Sequence, residues 1–187
     1  DGDPDLYLGH GGKAFSEYSP ELHDALYLND GTGYFEQAEG ALDFPGPLST
    51  GAVSIADFDQ DGLPDIVVGE AMKTNTYGLP GSCLVWRNTG DNHFELLDVK
   101  AGQDVGMIKA LSASDIDGNG WPDILLAGEY MPLTVLYNEN GNFQKKVLPG
   151  TDGWWQVIET TDLDEDGDPD FILGNMGTNN FFRSGHM

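Results

Sequence analysis

Apolar residues in this chain come in short runs closed by turn residues, and the runs recur. Ile66-Val67-Val68-Gly69, Ile124-Leu125-Leu126-Ala127-Gly128, Phe171-Ile172-Leu173-Gly174 and, near the start, Leu6-Tyr7-Leu8-Gly9 are nearly unbroken apolar segments ending in glycine. Runs this short predict strands buried on both faces, not strands with one wet side. A second strand-like set precedes them at residues 52–56, 107–111 and 154–158. A third element is an apolar strand, an Asn/Gly turn and a strand opening on Phe. It occurs at residues 27–36 and 86–95 and, shortened, at 136–144, and it predicts hairpins.

The first two sets are joined by a repeated polar segment. Residues 57–65, 115–123 and 162–170 read DFDQDGLPD, DIDGNGWPD and DLDEDGDPD, a D-x-D-x-[DN]-G-x-P-D pattern. Asp1-Gly2-Asp3-Pro4-Asp5 supplies the last five positions of a fourth copy. One unit is therefore strand A, acidic loop, strand B, a long connection, strand C, a tight turn and strand D. Four short antiparallel strands in about 50 residues is the size of one propeller blade, whose apolar faces only neighbouring blades can cover.

The expected fold is all-β: a β-propeller of four-stranded antiparallel blades with acidic A–B loops, here a partial propeller of roughly three and a half blades. Residues 1–46 carry strands B to D of the first blade, 47–101 the second, 102–149 the third and 150–187 the start of a fourth. The stretch 176–187 is too short for a clear C–D hairpin. A β-sandwich with acidic turns is the competing architecture. The chain reads either as a piece of a longer propeller or as one of two copies that meet edge to edge. The former is expected, because exposed edge strands invite aggregation.

Composition supports a folded, turn-rich domain, with 26 glycines, 10 prolines, 39% hydrophobic and 11% aromatic residues. The 32 acidic residues against 8 basic ones give a net charge of −24, which excludes a nucleic-acid binder and disfavours an anionic membrane surface. No apolar run is long enough for membrane insertion by this segment. Cys83 is the only cysteine, so no internal disulfide forms.

Half of the acids lie in the four acidic segments. Aspartates at positions 1, 3, 5 and 9 place hard oxygen donors around a turn that Gly at position 6 permits, and the carbonyl at position 7 can add another. Calcium takes about six to eight such oxygens in tolerant geometry, whereas magnesium prefers a strict octahedron with fewer protein ligands. Solvated acidic turns are the alternative. An EF-hand is excluded at position 12, where Val68, Leu126 and Leu173 stand in place of a bidentate glutamate. Asn119 replaces Asp at position 5 of its loop and gives up one charge. The N-terminal half-loop offers only Asp5 and Asp1.

These loops resemble the FG-GAP/VCBS repeat, the calcium-loop blade of integrin α-subunit propellers and of many secreted bacterial proteins. Segments 120–132, 153–155 and 174–179 are more similar to its cartilage-acidic-protein-like branch. The resemblance implies a ring of about six to eight blades, about three Ca²⁺ ions, an extracellular or cell-surface setting (periplasmic or outer-surface in a bacterium) and no catalytic activity. By position, the implied ligands are Asp57, Asp59, Asp61 and Asp65; Asp115, Asp117, Asn119 and Asp123; and Asp162, Asp164, Asp166 and Asp170. Leu63, Trp121 and Asp168 would add their carbonyls.

No zinc spacing surrounds His10, His23, His93 or His186, and neither a nucleophile elbow nor a P-loop is present. Glu70 and Glu129, just after strand B, are acids outside the loops. Trp121, Tyr130, Trp154 and Trp155 are candidates for stacking on a sugar or anchoring a protein, with packing between blades as their other reading. The expected function is a calcium-binding module that binds an extracellular protein or glycan. The alternative is the scaffold portion of an extracellular carbohydrate-active enzyme.

Overall fold

The computed structural model describes residues 2–12, 19–43, 46–73 and 76–177. Asp1, a candidate in the N-terminal half-loop, and residues 178–187 of the expected fourth unit lie outside the described residues. Within them the chain is all-β, with thirteen strands, two short 3₁₀ turns and no α-helix. In chain order the strands are β1 (Leu6–Leu8), β2 (Ala25–Asn29), β3 (Phe35–Gln37), β4 (Thr50–Ala56), β5 (Asp65–Glu70), β6 (Cys83–Asn88) and β7 (Phe94–Leu96). They continue as β8 (Met107–Ser114), β9 (Asp123–Met131), β10 (Thr134–Glu139), β11 (Asn142–Val147), β12 (Gly153–Thr161) and β13 (Asp170–Asn175).

All ladders between strands are antiparallel and all but one join sequence neighbours, so β1–β3, β4–β7, β8–β11 and β12–β13 form successive meanders. Gly153 and Trp154 at the start of β12 also pair with Met131 and Glu129 at the end of β9, which ties the last two meanders together. The order of elements matches that expected from the repeat, and the acidic segments are the β4–β5, β8–β9 and β12–β13 connections.

The strands after the acidic loops are apolar throughout because the meanders stack face to face. Successive side chains of a strand point to opposite faces. Val67 of β5 accordingly joins a cluster with Cys83, Val85, Ile108, Ile124, Leu126 and Leu136. Its neighbours Ile66 and Val68 join one with Leu26, Leu42, Leu48, Trp86 and Phe94. In β9, Ile124 and Leu126 face the first cluster, while Leu125 and Ala127 pack with Leu133, Val135, Trp155, Ile158 and Leu173. The Cys83 thiol is buried in this core, and burial pushes its pKa up to about 12.

Strands β4, β8 and β12 line one side of the stack, with β4 packed on β8 and β8 on β12. Each carries a bulge, at Gly51, Lys109 and Gln156, six residues ahead of its acidic loop. A bulge sharpens the local twist and re-aims the strand. The packing is close enough that a Cβ on Gly69 would strike the Ile108 side chain. Apolar residues stay exposed on the two outer meanders: Leu6, Leu8 and Phe35 at one end, and Val157 and Ile172 at the other. Among the described residues, the inner meanders have neighbours on both sides and these have one.

Ile108 is fully buried where β5 and β8 meet. Truncation to alanine there leaves a cavity between two sheets, and Ile108→Ala is expected to cost about 2–5 kcal/mol in urea denaturation. A loss under about 1 kcal/mol would show that the meanders are not held together at this contact.

Candidate metal centre

Each acidic loop is built by the same backbone-to-carboxylate bonds. The position-1 aspartate accepts twice, from the N–H groups of positions 5 and 6. For Asp57 the donors are Asp61 (3.1 Å) and Gly62 (2.9 Å). For Asp115 they are Asn119 (3.1 Å) and Gly120 (2.8 Å), and for Asp162 they are Asp166 (3.2 Å) and Gly167 (3.0 Å). The side chain at position 5 then accepts from position 7: Asp61 from Leu63, Asn119 from Trp121 and Asp166 from Asp168. These are Asx-type turns, which short polar side chains form readily.

The glycine at position 6 is left-handed in every loop, with φ of +88° at Gly62, +91° at Gly120 and +95° at Gly167. Position 4 is left-handed too, at Gln60 (+57°), Gly118 (+73°) and Glu165 (+62°). Two consecutive turns of this kind curl the loop so that its carboxylates converge. Oxygens of Asp57, Asp59 and Asp61 lie within 4.8 Å of one another, as do those of Asp115, Asp117 and Asp123, and those of Asp162, Asp164 and Asp170. None of the described ion pairs involves a loop aspartate; Lys73, Lys100, Lys109 and Arg87 pair with acids outside the loops.

The position-9 aspartate has a second task. Asp65 and Asp123 are completely buried. One oxygen accepts from the N–H of position 2, from Phe58 and Ile116 (both 2.9 Å), and the other from the N–H of Asn88 (2.8 Å) or Asn138 (2.7 Å) in the following hairpin. Asp170 accepts from Leu163 in the same way, and Asp5 from Asn29. Burial raises the pKa of Asp65, and the charges of Asp59 and Asp61 add to it while the two backbone bonds oppose it. Asp123 is raised for the same reasons, with Asp117 and Asp115 as the neighbouring charges. A charge opposed by burial and by its neighbours is one that a bound cation relieves.

The hairpin asparagines complete the arrangement. Asn29, Asn88 and Asn138 each donate Nδ2–H to the carbonyl of the position-8 proline, Pro4, Pro64 and Pro122, at 3.1 Å in all three. Each also accepts, through Oδ1, a backbone N–H of its own turn, from Gly31, Gly90 and Gly141. Turn chemistry alone explained these asparagines in the sequence. Their recurrence in the hairpin that follows Pro4-Asp5, Pro64-Asp65 and Pro122-Asp123 was the signal for the clasp. Asn119 also takes on meaning: its Nδ2 donates to the Asn138 carbonyl at 3.0 Å, a bond that an aspartate could not make.

The sequence model of the family described as FG-GAP-like repeat matches residues 1–68 and 115–173, well over half of the chain. The chain belongs to the FG-GAP-like repeat family. All three full acidic loops fall within the matched segments. Residues 69–114 lie between them, and there β6, β7 and β8 continue the same strand order.

The candidate ligand aromatics are spread over this FG-GAP-like chain. Trp121 sits in the second full loop, ahead of β9, and Tyr130 near that strand's far end. Tyr130 is exposed, has φ of +53° and packs its ring 4.8 Å from that of Trp154. Trp155 is half-buried against the third core cluster and donates Nε1–H to the Thr151 carbonyl. Glu129 binds Lys109 and the Tyr77 hydroxyl, and Glu70 binds Lys73 and the Ser82 N–H.

Replacing Asn88 with alanine removes the bond to the Pro64 carbonyl and the bond from Gly90, but keeps the backbone donor to Asp65. The expected cost is about 1–3 kcal/mol in urea denaturation. Asn88→Asp restores only the turn bond and is expected not to recover the loss. An unchanged midpoint for Asn88→Ala would contradict the clasp.

Proposed function

We propose that this chain is a calcium-binding β-propeller module of a secreted or cell-surface protein, non-catalytic, and acting in protein or carbohydrate binding or adhesion. The observation that carries the reading is the repeated convergence of three carboxylates within 4.8 Å, with none of them in an ion pair among the described residues. Donors that are all hard oxygens, on a flexible loop, suit Ca²⁺ better than Zn²⁺, which draws on His and Cys, or Mg²⁺, which demands a stricter octahedron. Asp57, Asp59, Asp61 and Asp65 would hold the first ion, with the Leu63 carbonyl. Asp115, Asp117, Asn119 and Asp123 would hold the second, with that of Trp121. Asp162, Asp164, Asp166 and Asp170 would hold the third, with that of Asp168. Bound there, the cation supplies the positive charge that lets these loops close.

The propeller reading is supported by meanders that stack face to face through β5 and β9, with β4, β8 and β12 side by side. The exposed Leu6, Leu8 and Phe35 at one end and Ile172 at the other are surfaces that further blades would cover. No helix of the described residues is long and apolar enough to cross a membrane. An extracellular setting, where free calcium is plentiful, fits sites built on exposed loops. Tyr130 with Trp154 is the aromatic pair best placed to meet a glycan or protein surface.

Thermal melts in EGTA and then in millimolar Ca²⁺ test the reading. One site filled at about 100 times its Kd adds about 2.7 kcal/mol, a rise in Tm of about 5–10 °C for a chain of this size. Mg²⁺ at the same concentration is expected to raise Tm less. Superimposable melts in EGTA and Ca²⁺ would sink the proposal.

A further inference from the structure

Two of the three acidic loops are bonded to each other. Gln60, at position 4 of loop 57–65, donates Nε2–H to the Gly120 carbonyl in loop 115–123 at 2.7 Å. Asn138, fully buried, donates Nδ2–H to the Phe58 carbonyl at 2.9 Å as well as to the Pro122 carbonyl at 3.1 Å. Its backbone N–H binds Asp123, and its carbonyl receives the Asn119 amide. One asparagine is thus attached to position 2 of the first loop and to positions 5, 8 and 9 of the second. Phe58, whose carbonyl is held this way, donates its own N–H to Asp65 and packs its ring edge-on to Phe143 of β11. Loop 162–170 has no such link to loop 115–123 among the described hydrogen bonds; Gly118, at position 4 of loop 115–123, has no side chain with which to repeat the Gln60 bond.

We propose that loops 57–65 and 115–123 take up their cations as a coupled pair, with Asn138 and Gln60 as the positioning residues that join them, while loop 162–170 binds independently. The proposal rests on the cation reading above. The physical argument is linkage. A metal-free loop must hold several like charges together and opens locally at little cost. Closing loop 57–65 around a cation fixes the Phe58 carbonyl and the Gln60 amide. Those are the groups through which Asn138 and Gly120 hold loop 115–123, so part of its ordering is already done. By reciprocity, filling loop 115–123 must raise the affinity of loop 57–65 by the same factor.

Trp121 gives a reading of one loop alone. It occupies position 7 of loop 115–123, where the other loops have Leu63 and Asp168. Tb³⁺, a luminescent oxygen-seeking probe for calcium loops, can therefore be titrated against the whole chain while Trp is excited. Trp121→Leu identifies the part of the signal that belongs to this loop. Asp59→Ala, in the other loop, is expected to raise the half-saturating Tb³⁺ concentration read by Trp121 about five-fold or more. Asp164→Ala is expected to leave it within about two-fold, below the range typical of coupled sites.

Asn138 is buried and its removal endangers the fold, whereas Gln60 is exposed. Gln60→Met keeps all the carboxylates and the chain length of the side chain, so it is expected to shift the Trp121 signal in the same direction while the urea midpoint in EGTA stays put. Unshifted titrations for both Asp59→Ala and Gln60→Met would overturn the coupling with the cation reading intact. An equal shift with Asp164→Ala would overturn it too, by showing general loosening. Absence of any saturable signal from the unsubstituted protein would overturn the cation reading itself, and the coupling with it.

Discussion

The buried position-9 aspartate is the constraint on which the rest depends. A carboxylate out of water is costly unless its lone pairs are filled, and Asp65 and Asp123 fill theirs with backbone donors from two different elements. One donor lies at the start of the same acidic loop and the other at the start of the next hairpin turn. The residue therefore sets where the loop begins to curl and where strand C must end. The proline before it and the asparagine at the end of β2, β6 or β10 close the same junction from the other side. Loop, strand B and hairpin are in this way one mechanical unit, repeated along the chain.

Stacking those units explains the odd hydrophobic pattern of strand B. A strand in an ordinary two-layer fold alternates apolar and polar residues. Strands β5 and β9 are buried at nearly every position because each has a neighbouring meander on both faces. The same motif in β13 is only half-buried, with Ile172 exposed, since among the described residues it has a neighbouring meander on one face alone. The apolar content of the strand is thus a property of its sequence, while its burial depends on what lies beside it. The stacking also brings successive acidic loops to the same end of the molecule, close enough for Gln60 to reach the Gly120 carbonyl.

Much of this was legible in the residues. The period-free apolar runs marked β1, β5, β9 and β13, the Asn/Gly turns marked the hairpins, and D-x-D-x-[DN]-G-x-P-D marked the loops and the turn at Gly62, Gly120 and Gly167. Other features were not legible, because they arise from contacts between distant segments. Gln60 and Glu165 carry no outward sign that they adopt left-handed backbone. The bulges at Gly51, Lys109 and Gln156 are set by the register of strand pairing. Position 9 read as one more cation donor, yet its oxygens are first of all acceptors for backbone N–H groups. The aromatics read as a single group, but Trp121 sits in an acidic loop, Trp155 packs against the core, and only Tyr130 and Trp154 stack together.

By itself, the sequence determined the elements, their order and the chemistry of the loops, because strand runs, turn residues and clustered carboxylates are local properties that short spacings express. Tertiary structure alone decided which carboxylates converge, which are buried as clasps, and which loops touch. Those outcomes depend on bonds such as Asn138 to Phe58, between residues far apart in the chain that become neighbours only when one sheet is laid against the next. Spacing along the chain carries no record of that contact.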